Sequence, residues 1–224
     1  MSIKAVIFDL DGTLIDSMKL WREVDAEFLG SRGIEVPEDL FDYLPQGNSF
    51  VQTATYFKNR FNLSDSVESI MQEWTDMVSH HYANTVSLKD GVCEIISLLQ
   101  CKSIPLGLGT SNSYELAQKV LSQHDIWNCF SAVVTGDLHM MGKPWPDIYI
   151  KAAEELKTNP ADCLVIEDTL TGVMAGKAAG MTVYAIYDPD SDPQRDDIIE
   201  LADLHFQTYQ EMLEQLHQQL NETL

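Results

Sequence analysis

Two hydrophobic rhythms alternate along the chain. Short, nearly continuous apolar runs stand at Ala5-Val-Ile-Phe8, Leu106-Gly-Leu-Gly109, Ala132-Val-Val134, Leu164-Val-Ile166 and Thr182-Val-Tyr-Ala-Ile186. Strands that are apolar on both faces predict a parallel sheet covered by helices on each side, because a strand with one wet face alternates instead. Three of the four intervals between these runs have room for one crossover helix with its loops. The first is far longer. Its end is an ordinary crossover helix, with Val92, Ile95, Ile96 and Leu99 in an i, i+3, i+4, i+7 stripe. The rest reads as inserted helices. Phe50, Ala54, Phe57 and Phe61 make one stripe; Val67, Ile70, Met71, Trp74 and Val78 make another. A third helix is expected around Leu20, Val24 and Phe28, starting near the cap-competent Asp16 or Ser17. Tyr209, Met212, Leu213, Leu216 and Leu220 predict an amphipathic C-terminal helix. The expected fold class is α/β: a three-layer Rossmann-like core with a parallel sheet, from residues 1–15 and 88–224, plus a small α-helical cap domain, residues 16–87, inserted after strand one.

Charge narrows the partners. The 224 residues include 14 Lys plus Arg against 35 Asp plus Glu, a formal net charge of −21. Nucleic acid and anionic membrane surfaces are bound by clustered cations, so neither is an expected partner. With 45% apolar and 22% charged residues the composition is that of a packed globular protein. Cys93, Cys101, Cys129 and Cys163 lie far apart without a C-x-x-C pair, and are expected to be reduced, mostly buried thiols. The first apolar run meets an acid too soon for a signal peptide, and no apolar stretch reaches membrane-helix length, so a cytoplasmic protein is expected.

In an open α/β sheet, ligands bind at the carboxyl ends of the strands. An insertion after strand one would cover that edge, which directs attention to the residues that follow each strand. After strand one comes Asp9-Leu10-Asp11-Gly12-Thr13, two carboxylates whose relative direction Gly12 can change. Held this close they need a cation or a shared proton, unless the segment is a solvated turn. After strand two, Thr110-Ser111-Asn112-Ser113 opens a helix; it can cap that helix, hold an anion, or do both. After strand three, Lys143 stands between Gly142 and Pro144 on a stiff loop. After strand four, Glu167 and Asp168 end a buried strand, an arrangement costly without a neutralising ion such as Mg²⁺. Gly172, Gly176 and Gly180, four residues apart, predict close packing of helix on sheet. Asp188, Asp190 and Asp192 have the opening spacing of a calcium loop, but Pro193 and Ile199 replace its glycine and glutamate, so calcium is not expected there. His80-His81 lacks a metal-spaced partner and reads as a helix-end or interfacial pair.

Together, D-x-D-G-T after strand one, the Thr-Ser turn after strand two, G-K-P-x-P-D, and E-D-T-x-x-G after strand four resemble the haloacid dehalogenase superfamily. The helical insertion resembles the cap of its first subclass, which includes phosphoglycolate phosphatase and β-phosphoglucomutase. Carried onto this chain, the resemblance implies Asp9 as the nucleophile and Asp11 as the acid that protonates the leaving oxygen and later activates water. It implies Thr110 and Lys143 as catalytic groups, with Leu10, Asp11, Thr110, Ser111, Asn112 and Lys143 around the phosphate. Mg²⁺ would be held by the Asp9 carboxylate, the Asp11 carbonyl and Asp168, with Glu167 as ligand or as orienter of a bound water. A carboxylate nucleophile splits the displacement into formation and hydrolysis of an acyl phosphate.

Two departures separate branches of that superfamily. Asp11 and Thr13 set the chain apart from the true dehalogenases, which lack the acid/base aspartate. In β-phosphoglucomutase a histidine follows the first motif and a cap arginine grips the distal phosphate; here Trp21 and Gln46-Gly47-Asn48-Ser49 stand near those positions. Lys19 and Lys58, which a Schiff-base branch would use, fit exposed helix positions better. The expectation is a Mg²⁺-dependent phosphatase of a small phosphorylated metabolite, a sugar phosphate or similar. A phosphohexomutase and an inactive phospho-ligand binding protein are the alternatives. Trp21, Asn48 and Trp74 are the cap residues expected to shape the substrate, and the expected assembly is a monomer or weak homodimer.

Overall fold

A computed structural model describes residues 3–40, 49–138 and 140–222 of the chain. Six strands, β1 (Ala5–Phe8), β2 (Leu106–Gly109), β3 (Phe130–Val134), β4 (Cys163–Glu167), β5 (Thr182–Ile186) and β6 (Leu204–Phe206), form one parallel sheet in the order β3-β2-β1-β4-β5-β6. Successive side chains point to opposite faces of a strand. Val6 and Phe8 of β1 and Leu164 and Ile166 of β4 therefore enter one apolar layer, while Ala5, Ile7, Cys163 and Val165 enter the other. Both layers are dry, which is why the strands read as unbroken apolar runs.

The chain leaves β1 for β2 and β3 on one side, then crosses back to β4 on the other. That reversal places the carboxyl ends of β1, β2 and β4 side by side around a switch point, the position of the ligand crevice in this architecture. Over it lie three inserted helices, α1 (Met18–Gly30), α2 (Phe50–Arg60) and α3 (Val67–Asn84). Their apolar stripes meet in an aromatic centre, with ring centroids 5.0 Å apart for Phe57 and Trp74 and 5.4 Å for Phe28 and Trp74. Ser49 and Gln52 form a reciprocal capping box that fixes the start of α2. The buried cluster of these helices runs without a break into the sheet layer holding Val6 and Phe8.

The remaining helices are α4 (Val92–Cys101), α5 (Tyr114–Gln123), α6 (Asp147–Glu155), α7 (Leu170–Ala178), α8 (Arg195–Leu201) and α9 (Tyr209–Glu222). Tyr209, Met212, Leu216 and Leu220 of α9 are buried, as the stripe predicted. Among the described residues no helix is long and apolar enough to cross a membrane.

Several expectations are corrected. Only Cys163 is a buried thiol; Cys93 and Cys101 are exposed and Cys129 is intermediate. The reason is that Val92, Ile95, Ile96, Leu98 and Leu99 already fill the inward side of α4, leaving its two cysteines outside. The glycines of the α7 region serve three purposes rather than one. A Cβ at Gly176 would press on Val183, so this position packs helix on sheet; one at Gly172 would collide with the Glu167 carboxylate; Gly180 turns the chain after the helix at φ +74°. Ser17 precedes α1 but makes no cap bond, because its hydroxyl donates to Asp11. Lys58 is only half exposed and is spent on the carbonyls of Leu63 and Asp65. Asp188 caps a short 3-10 segment, Pro189–Gln194, and pairs with Lys89, while Asp190 pairs with Arg22.

Candidate active site

Hydrogen bonding along the sheet runs one residue past β1. The Asp9 amide donates to the Ile166 carbonyl at 3.0 Å, so the Asp9 side chain leaves the sheet at its carboxyl edge beside the end of β4. The chain then folds back, with the amides of Leu14 and Ile15 both donating to the carbonyl of buried Leu10 at 2.8 and 3.0 Å. Gly12 makes this turn possible. Its φ is +80°, and a Cβ there would collide with the Asp168 carboxylate. Lys89 ties the turn from behind, donating to the carbonyls of Gly12 at 2.6 Å and Tyr187 at 2.9 Å.

At this edge Asp9, Glu167 and Asp168 come together, each offering a carboxylate oxygen within 4.8 Å of the others. All three are buried, and so is Lys143, at 2% exposure. The Lys143 ammonium donates to Asp9 Oδ1 and to Glu167 Oε1, each at 2.5 Å. The stiff loop therefore carries an interior cation rather than a surface one. Glu167 Oε1 also accepts from the Tyr149 hydroxyl at 2.9 Å, and Oε2 from the amides of Asp168 and Thr169 and the Thr169 hydroxyl. Asp168 Oδ1 accepts from the Thr13 hydroxyl at 2.8 Å.

Three buried carboxylates against one buried ammonium leave a local excess of negative charge. Burial, with Glu167 and Asp11 nearby, pushes the Asp9 carboxyl up to about 8 despite Lys143. Burial and the charges of Glu167 and Asp9 drive Asp168 well above the carboxylate range. Burial works on Glu167 in the same direction, but Lys143 and the surrounding donors hold it below its ordinary value. Desolvation would lower Lys143, yet its two carboxylate partners keep its pKa above the ordinary lysine value. A hard divalent cation set among Asp9, Asp168 and the turn would offset the surplus, and oxygen donors of this kind suit Mg²⁺.

A second knot forms on the other side of the turn. Asp11 Oδ1 accepts from Ser17 Oγ at 2.6 Å, from Trp21 Nε1 at 3.2 Å and from the Tyr82 hydroxyl, while Oδ2 accepts from Asn112 Nδ2 at 2.9 Å. Beyond β2, Thr110 is buried and its hydroxyl accepts from the Asn112 amide at 3.1 Å. The Ser111 carbonyl accepts from the Phe50 amide at 2.9 Å, which joins α2 to this loop. Ser113 is the residue that caps α5. Helix capping thus falls to Ser113 and not to Thr110 or Ser111.

The sequence profile of haloacid dehalogenase-like hydrolases matches residues 6–186. The chain belongs to that family. It is 36% identical over 182 residues to a bifunctional riboflavin kinase/FMN phosphatase of Arabidopsis thaliana, covering 81% of this chain and 48% of the plant enzyme. The chain thus spans about half the length of that relative. It is 29% identical over 215 residues to hexitol phosphatase B of Escherichia coli K12, covering 94% of both chains. Among solved structures, β-phosphoglucomutase of Clostridium difficile superposes with a TM-score of 0.82 at 21% identity, covering 99% of this chain and 98% of the other, a likeness of fold.

In this haloacid dehalogenase-like chain, Asp9, Lys143, Glu167 and Asp168 meet at one edge of the sheet, and Asn112 joins Asp11 beside them. Not all sit as expected. Asn112 directs its side-chain amide to Asp11 and Tyr82, so its side chain serves the carboxylate turn. Trp74 lies in the aromatic centre of the cap helices, while Trp21 reaches Asp11. Gln46, Gly47 and Asn48 lie outside the described residues. Nothing in the sequence singles out Tyr82, Tyr149 or Lys89, and it marks Ser17 only as a candidate helix cap. Tyr82 continues the Trp74, Val78 stripe by four residues and reads there as one more packing position; nothing local marks its hydroxyl.

Proposed function

We propose that the chain is a Mg²⁺-dependent phosphatase that hydrolyses a small phosphomonoester through an aspartyl-phosphate on Asp9. The observation that carries this reading is the buried cluster of Asp9, Glu167 and Asp168 around Lys143 at the switch point of the sheet. A binding module has no need of so much uncompensated buried charge. In this reading Asp9 Oδ2 attacks phosphorus while Lys143 holds the other oxygen of the same carboxylate. Thr110 donates its hydroxyl to a phosphoryl oxygen. Asp11 gives a proton to the departing alkoxide and then takes one from the water that cleaves the acyl phosphate.

Asp9, Asp168 and the Asp11 carbonyl would hold Mg²⁺, which would supply positive charge against the phosphoryl oxygens. Glu167 is poorly suited to direct ligation, because its two oxygens already accept five hydrogen bonds. We assign residues 1–15 and 88–224 to the catalytic core and 16–87 to a cap that excludes water from the crevice.

Hydrolysis of a monophosphate is favoured over mutase chemistry by the cap cations. Among the described residues Arg22 pairs with Asp190, Arg32 with Glu73 and Asp65, and Arg60 with Asp39. A second phosphate gripped by one of these arginines would have to displace its carboxylate partner. The relatives named for FMN and hexitol phosphates support a small phosphorylated substrate. The test is phosphate release from a panel of sugar, polyol and flavin phosphates with and without Mg²⁺, using Asp9→Asn as control. Turnover at parental rate in that variant would overturn the aspartyl-phosphate reading.

A further inference from the structure

Asp11 is bonded at once by the core and by the inserted helices. Trp21, from α1, donates its single indole N–H to the Tyr82 oxygen at 2.8 Å and, less closely, to Asp11 Oδ1 at 3.2 Å. Tyr82, from α3 and fully buried, donates its hydroxyl hydrogen bond to Asp11 Oδ1 and accepts bonds from Trp21 Nε1 and from Asn112 Nδ2 at 3.1 Å. Its ring is held edge-on against Trp21, with centroids 6.2 Å apart. The edge-on packing and the bonds from Trp21 and Asn112 hold the phenol beside Asp11. Tyr82 and Asp11 are 71 residues apart in sequence, so their hydrogen bond exists only when α3 is seated over the carboxylate turn.

We propose that Tyr82 is a positioning residue: it fixes the Asp11 carboxyl toward the leaving-group oxygen and makes proton transfer depend on the seating of the cap helices. This rests on the reading of Asp11 as acid and base given above. General acids act only within hydrogen-bond reach and proper alignment. Removing the Tyr82 hydroxyl leaves Asp11 Oδ1 with Ser17 and a longer Trp21 contact, while Oδ2 keeps Asn112, so the carboxyl is held less tightly on its cap side. A tyrosine that merely satisfied its hydroxyl in a packed interior would slow every substrate alike. A positioning tyrosine slows most the substrates whose leaving group must be protonated.

The experiment compares first-turnover rates of the full chain, with Mg²⁺, on an alkyl phosphate and on p-nitrophenyl phosphate, whose phenolate leaves without a proton. Tyr82→Phe keeps the ring. It is expected to lower the alkyl phosphate rate by about 10- to 100-fold, with KM moving less than about threefold, and to lower the nitrophenyl rate several-fold less. Trp21→Phe is expected to show the same split in smaller measure, and carries the test by itself if Tyr82→Phe fails to fold. Equal losses on both substrates, or a loss confined to KM, would overturn the proposal. Asp9→Asn run in parallel keeps the two readings apart: it should be inactive on both substrates, and turnover there would count against the aspartyl-phosphate mechanism rather than against Tyr82.

Discussion

Lys143 Nζ lies 2.5 Å from Asp9 Oδ1, in a site where both side chains are buried. The lysine is therefore part of the electrostatic support of the crevice as well as a candidate phosphate contact. Replacing it with methionine keeps the stem and removes the charge. Removing one member of a buried ion pair costs about 3–5 kcal/mol, because the partner is left uncompensated. For a chain of this size that is a fall in Tm of roughly 6–20 °C. Thermal melts of Lys143→Met in metal-free buffer check this, and a Tm within experimental error of the parent would contradict it. Turnover should fall by at least about 100-fold.

Glu167→Gln tests the same network from the other side. Lys143, Tyr149, Thr169 and two backbone amides all donate to the Glu167 carboxylate. An amide must turn its own NH₂ toward one set of donors, whichever way it flips. Lys143 also loses one of its two counter-charges. The expected cost is about 2–4 kcal/mol, read as a lower midpoint in urea without a change in slope. A midpoint equal to the parent's would mean that the network relaxes around the amide.

Much of this arrangement could be read from the chain. Strand runs such as Ala5–Phe8 and Thr182–Ile186 were visible because both faces of the sheet are dry. β6 was not, since Leu204 is exposed, His205 is half-buried, and three residues make no apolar run. Asp9, Asp11, Glu167 and Asp168 stand out because charged side chains at or just past the ends of apolar strands are costly and so carry information, and Lys143 because it stands on a stiff loop between Gly142 and Pro144. Their partners do not. Tyr82 and Tyr149 occupy apolar positions on helix stripes, where a ring explains itself by packing, and only the tertiary fold brings their hydroxyls to carboxylates.

Gly12→Ala is expected to damage metal binding more than folding. The substitution places a Cβ at φ +80° and against the Asp168 carboxylate, so Asp168 must move away from Asp9. A ligand that binds only the folded state raises stability by RT ln(1 + [L]/Kd). Adding millimolar Mg²⁺ should raise the Tm of the parent, and raise that of Gly12→Ala and of Asp168→Asn little or not at all. EDTA should abolish the parental rise. An undiminished Mg²⁺ shift in both variants would remove Asp168 from the metal site.

Asp25 gives a pH dependence separate from the crevice. It lies on α1, partly buried, and desolvation pushes its carboxyl up from 3.8 to about 7. Between these values the folded chain holds a proton that the unfolded chain has released. Stability from this group is therefore full below about pH 3.8 and is lost as pH rises through about 7. Asp25→Asn, neutral throughout, should escape the loss. Its Tm should exceed the parent's at pH 8, by about 2–4 °C for each kcal/mol recovered, and the gap should narrow as the pH is lowered from 7 to 5, closing only near 3.8. A gap that stays constant from pH 5 to pH 8 would show that the Asp25 carboxyl titrates alike in the folded and unfolded chains.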